Sequence, residues 1–296
     1  VALSAKSFIF SVFWGLLVFA AGPAWADGRL LAGTDGREIT LIEAISGVRP
    51  GDIIVIGEEH GNAACQAEQL RILQALRDQG LSVSVGMEFL EYPFQSATDL
   101  YRAGQLLESD FLKTVQWGQG FPFDFYRDQI LFPRAAQGES TRALNAPRKI
   151  TGKVAKQGIG SLTPEERAEL PSGLTRGNDR YFERFKEAIG HLPNPDAAEN
   201  YFWAQSIWDE TMAWKTLEFA QAHPAQVFVV IVGEFHVQYG GGLPSRLRAR
   251  GAGKVWTFSQ VGLTGLDPSE RDQAILPSPL DGPRADFVWA FEEASD

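Results

Sequence analysis

Two short stretches limit this chain more than any others. Ile53-Ile54-Val55-Ile56 and Val227-Phe228-Val229-Val230-Ile231-Val232 are unbroken apolar runs rich in β-branched residues. They lack the alternation of a half-exposed strand and fit strands covered on both faces, as in a parallel sheet. Each ends on glycine and then on the same short pattern, Gly57-Glu58-Glu59-His60 and Gly233-Glu234-Phe235-His236.

After the first run, residues 63–79 carry apolar side chains at helical spacing and stop at Gly80, a C-terminal helix glycine. Leu81 to Met87 reads as a second strand ending at Glu88, which predicts a βαβ unit. Helices are expected over 94–104, 107–115 and 124–137, and a short strand over 142–145. The region 146–195 is rich in charge, Gly and Pro, with helical pieces near 164–169 and 178–189. A helix over 196–222 is apolar around most of its circumference, so it should pack on several sides. A helix over 243–250 and strands over 254–261 and 286–291 follow. The expected class is α/β: a mainly parallel β-sheet flanked by helices, made from both ends of the chain, with a smaller helical subdomain inserted at about 91–225.

The first residues carry a different message. Lys6, the apolar run Phe8 to Ala20 and the small-x-small site Ala24-Trp25-Ala26 read as a signal peptide over 1–26, cleaved after Ala26. The apolar run is short for a spanning helix. The folded domain is then 27–296, periplasmic or secreted, with no stable membrane insertion after cleavage. No cysteine follows the run to accept a lipid. The single cysteine, Cys65, excludes an internal disulfide and reads as a buried small hydrophobe, with a metal or haem ligand as the sharper alternative. A formal net charge of −10 argues against nucleic acid as a partner.

In open parallel sheets the working crevice lies beyond the carboxyl ends of the strands. Glu58, His60, Glu88, Asn145, Glu234 and His236 are all expected there. The chain has four histidines, and two fall at strand ends in matching contexts, while His191 and His223 fall near prolines and read as surface residues. Imidazole beside carboxylate serves two chemistries. His60, Glu88 and His236 could hold a divalent metal, or His60, His236, Glu88 and Glu58 could be the catalytic acid–base groups of a hydrolase. The plain alternative is that these side chains cap helices and bond to one another. No Gly-x-Ser-x-Gly elbow supports a serine hydrolase. The clusters Trp117-Phe121-Phe123-Phe125-Tyr126 and Tyr201-Phe202-Trp203-Trp208-Trp214 fit core, and would equally fit walls for a flat apolar ligand.

The order of several motifs carries a resemblance. Gly57-x-Glu59-His60, Gly86-Met87-Glu88-Phe89 with Gln95, and Trp117 with Phe123-x-x-Tyr126 come first. Ala143-Leu144-Asn145-x-Pro147-Arg148, Gln205-x-x-x-Asp209-x-x-Met212-Ala213 and Gly233-x-x-His236 with Gly242-Leu243-Pro244 follow. Over about residues 45–260 the chain resembles the ChaN-like haem-binding family of the Tiki superfamily. The resemblance implies a haem-binding protein of haem and iron uptake, with the uptake machinery as partner. It also implies a homodimer around stacked haems, with tyrosine as axial ligand. Tyr92, Tyr101, Tyr126, Tyr181, Tyr201 and Tyr239 are available. The cofactor-binding set expected here is His60, Glu88, Asn145, His236, Tyr92, Tyr126 and Tyr201. The wider superfamily also includes metalloproteases and erythromycin-esterase-like hydrolases, which keeps the hydrolase alternative open. Family members often carry a further histidine soon after the first motif; here that stretch is Ala63-Ala64-Cys65.

Overall fold

The computed structural model describes residues 28–118, 120–190 and 195–292. The expected signal peptide lies outside the described residues.

Seven strands form one sheet: β1 (Arg29–Ala32), β2 (Ile53–Glu58), β3 (Ser82–Glu91), β4 (Thr141–Asn145), β5 (Gln226–Gly233), β6 (Val255–Gly262) and β7 (Phe287–Phe291). Their order is β1-β7-β6-β2-β5-β3-β4. All pairings are parallel except β1 with β7. The α/β class expected from the sequence is the observed one.

The apolar runs work as their composition demands. Every residue of β2 is buried, and β5 is buried from Val227 onward. Side chains alternate across the strands. Ile54, Ile56, Val229 and Ile231 face one apolar layer, and Ile53, Val55, Phe228, Val230 and Val232 face the other. The first layer is closed by α1 (Leu41–Ile45), α2 (Ala63–Asp78), α3 (Gln95–Arg102), α4 (Glu108–Thr114) and α5 (Asp124–Leu131). The chain then runs through α6 (Arg148–Gln157), α7 (Pro164–Ala168), α8 (Asp179–Ile189) and α9 (Pro195–Ala222). With α10 (Leu243–Ala249), α9 covers the second face, and α6 packs on α9 from outside. Near the β1 edge, α11 (Pro268–Ile275) closes a smaller cluster. The stretch of about 91–225 thus supplies helices to the first face, strand β4 to the sheet edge, and helices to the second face.

Four elements were not anticipated. β1 is four residues without a β-branched side chain, and α1 is five residues set by a Thr40–Glu43 capping box. α6 carries Gly152 and several charges, yet it forms because Ile150, Thr151 and Val154 bury one side. α11 buries no residue fully; a capping box from Asp267 and Glu270 starts it. The helix expected over 124–137 stops at Leu131: Phe132 keeps helical angles as its cap, but Pro133 has no amide hydrogen to continue the ladder and its ring crowds the preceding turn. β2 and β3 are parallel, as a βαβ unit requires, but they are not neighbours: β5 lies between them. Among the described residues no helix is long and apolar enough to cross a membrane.

Candidate functional site

The strand order decides which side chains meet. β2 delivers Glu58 and His60, β5 delivers Gly233 to His236, β3 delivers Glu88, and β4 delivers Asn145. All end at one rim, around a cavity of about 540 Å³ lined by Glu58, His60, Glu88, Phe89, Phe121, Asn145, Arg148, Gln205, Trp208, Gly233, Glu234, Phe235 and His236.

Glu58 is the anchor of one half. Its Oε1 accepts from the Tyr126 hydroxyl at 2.6 Å and from His60 Nδ1 at 3.1 Å. Its Oε2 accepts from Gln66 at 2.8 Å and Gln69 at 2.6 Å, both on α2. With Nδ1 held, Nε2 is the ring nitrogen turned away from Glu58, and it lies over Gly233. A carboxylate behind an imidazole in this way fixes the tautomer and raises ring basicity. Burial resists charge on His60, but the Glu58 hydrogen bond and the charges of Glu88 and Glu58 outweigh it and raise the ring's pKa. Phe89 and Phe121 meet the His60 ring edge-on, each at a centroid distance of 5.0 Å.

His236 anchors the other half and is 5% exposed. Its Nδ1 lies 2.7 Å from Asp209 Oδ1 and its Nε2 3.4 Å from Glu88 Oε1. Glu88 Oε2 accepts the Gly233 amide at 2.6 Å. Burial alone would neutralise both groups. Instead the carboxylates of Glu88 and Asp209 push His236 up to about 10, while His236 and His60 hold Glu88 down to about 2. The two directions agree on an ionised pair. Gln205 on α9 lies 3.1 Å from both His236 Nδ1 and the Tyr181 hydroxyl, and Tyr181 donates to Asp209 at 3.1 Å. Both ring nitrogens of His236 are engaged, so His60 is the imidazole with a nitrogen to offer a ligand.

Glu234 lines the cavity from β5's end. Its Oε1 accepts from Ser259 at 2.6 Å and Arg284 at 2.9 Å, while Oε2 is buried without a partner. Burial raises its pKa against the pull of Arg284. Trp208 also lines the cavity, and its Nε1 is buried without a partner.

Of the residues singled out from sequence, Glu58, His60, Glu88, Asn145, Glu234 and His236 share this cavity. The tyrosines do not line it. Tyr126 stands behind Glu58, and its phenol is pushed up by burial and by that carboxylate. Tyr92 donates to the Glu169 carbonyl at 2.9 Å, and Tyr201 is 46% exposed on α9. Among the described residues no group of three or more His, Cys, Asp or Glu converges to hold a metal ion, so His60, Glu88 and His236 share a cavity without forming such a set. Cys65 is fully buried, and burial pushes its thiol up, as a structural residue requires. His223 is half-buried rather than on the surface: its ring stacks on Phe219 at 4.1 Å. His191 lies outside the described residues. Sequence reasoning gave no role to Asp209, Gln205 or Arg148, although all three stand in the motifs that carry the resemblance.

The fold and the rim define an α/β protein whose site is two carboxylate-backed imidazoles at the ends of parallel strands. Residues 44–247 match the family described as haem-binding uptake, Tiki superfamily, ChaN, and the chain belongs to that family. No curated protein matches the sequence. A solved structure described as cofacial heme binding to ChaN of Campylobacter jejuni is similar, with 14% identity and a TM-score of 0.63 over 90% of this chain and 97% of that one. A succinoglycan biosynthesis protein is similar with 11% identity and a TM-score of 0.50, over 85% and 89% of the two chains. An erythromycin esterase in its open conformation overlaps at 12% identity and a TM-score of 0.46, over 90% and 83%. At these identities the likeness speaks for the fold alone, and the last is too slight to argue from.

Proposed function

We propose that this chain binds haem as cargo in the strand-end cavity, as an exported protein of haem uptake that works as a homodimer. The observation that carries the reading is His60: its Nδ1 is fixed by a buried carboxylate, and its Nε2 side borders a cavity walled by Phe89, Phe121, Trp208 and Phe235. A flat apolar ligand with a metal centre needs aromatic walls and one oriented donor, and pockets of a few hundred Å³ are the usual size for such ligands. His60 would hold the iron side, and the aromatic residues would exclude water from the ring faces. Tyr201, exposed on α9 outside the cavity, is the tyrosine open to a haem shared with a second subunit. The uptake role rests on the family's description, export on the leader-like first residues, and the pairing of subunits on the cofacial haem binding described for the Campylobacter jejuni protein.

The test is a haemin titration of the purified chain, followed in the Soret region, with molecular mass measured before and after loading. Wild type should show a saturable shift, and His60→Ala should bind more weakly with an altered band. A wild-type chain that gives no saturable shift overturns the reading. One observation favours a second reading, a hydrolase: the Glu58–His60 pair has the form of a general base oriented by a carboxylate. Turnover of ester substrates that is lost in both His60→Ala and Glu88→Ala would favour it.

A further inference from the structure

Each cavity carboxylate already has a side-chain partner of its own. Glu58 has His60, Glu88 has His236, and Glu234 has Arg284. That leaves one lining cation whose partner stands outside the cavity. Arg148, the first residue of α6, is the only Arg or Lys among the described lining residues. Its Nε lies 3.4 Å from Glu91 Oε1, and Glu91 does not line the cavity. Its Nη1 donates to the Gln116 carbonyl at 3.0 Å. Gln116 sits at φ 53°, a left-handed conformation uncommon for a non-glycine residue, and this loop geometry presents its carbonyl to Arg148. Two atoms of the fork are therefore held, while Nη2 makes no hydrogen bond among the described residues. The side chain is 51% exposed, so a ligand group can reach it from solvent.

We propose that Arg148 is the anion-recognising residue of this cavity and takes a carboxylate of the bound ligand, with the apolar body of that ligand against Phe89 and Phe121. The guanidinium is planar and always charged, and it matches a carboxylate better than any other side chain. For the haem reading, on which this rests, the group is a propionate. The arrangement orients the ligand: the acid edge faces the mouth at Arg148, and the ring faces His60. Since the inner carboxylates would repel an acid group in the depth of the cavity, the reversed orientation is disfavoured.

The experiment titrates the full chain with haemin and with haemin dimethyl ester, whose acid groups are blocked. The variants are Arg148→Gln and Arg148→Lys. Loss of a hydrogen bond to a charged group predicts haemin binding weaker by about tenfold in Arg148→Gln. Arg148→Lys should recover part of the loss. The dimethyl ester should bind wild type more weakly than haemin does, and should not distinguish wild type from Arg148→Gln. Unchanged haemin affinity in Arg148→Gln overturns the inference while the haem reading stands, as does an equal loss for both ligands. A wild-type chain that binds neither ligand overturns both.

Discussion

Gly233 has ordinary strand backbone angles, φ −63° and ψ 146°, so an alanine there meets no conformational penalty. What it would meet is His60. A Cβ on Gly233 would stand 2.7 Å from Cε1 and 2.8 Å from Nε2 of that ring. The ring can swing away, so Gly233→Ala should leave stability nearly intact and displace the cavity-facing imidazole. Haemin affinity should fall by about tenfold while the thermal midpoint moves little, because function tolerates misplacement of a binding group poorly. Titration and a melt on the same sample check this, and unaltered affinity would show that His60 does not act from its observed place. At this scale the sequence was informative where a residue type is scarce. Two histidines in matching glycine contexts could be placed at the rim, and the structure puts them there. Asp209 and Gln205 were not assignable, because they reach His236 from mid-helix positions 27 and 31 residues away. A helix that is apolar nearly all round gives no sign of which polar side chain turns inward.

Among the elements, the two central strands bear the fold. Ile231 in β5 is fully buried and belongs to the larger apolar layer, while Leu280 is 80% exposed in a loop. Ile231→Ala should cost about 2–5 kcal/mol, from lost transfer energy and the cavity left behind. Leu280→Ala should stay within about 0.5 kcal/mol. Urea unfolding separates these, and equal small effects would mean that β5 is not the packed centre described above. Strands of this kind are legible because burial on both faces writes an unbroken apolar run. Their neighbours are not, because composition records that a strand is buried and not what lies beside it. That is why β2, α2 and β3 could be read as a unit while β5 between β2 and β3 could not. The short elements β1 and α1 left too few residues for a period to show.

The molecule as a whole should record the buried ion pair in its pH dependence. His236 is raised from 6.5 to about 10 on folding, so its contribution is complete below pH 6.5 and is lost as pH rises through about 10. Glu88 is lowered from 4.5 to about 2, so its share is complete above pH 4.5 and is lost as pH falls through about 2. The two describe one coupled pair, whose stabilisation is greatest between pH 4.5 and 6.5. The stability of wild type minus that of His236→Gln should peak in this window and shrink steadily toward pH 10. A difference that is flat or grows above pH 7 would contradict the assignment of charge to this pair.

The place of β5 has a further consequence, in time rather than in space. β2 and β3 leave the ribosome early, yet the strand that separates them begins at Gln226. Until then the gap between them can only be empty or wrongly closed, and the rim has neither Gly233 nor His236. Contacts of such long sequence separation are formed slowly. Binding competence therefore comes late, when the middle of the sheet is filled, and a chain that can hold its ligand is one that has already finished folding around it.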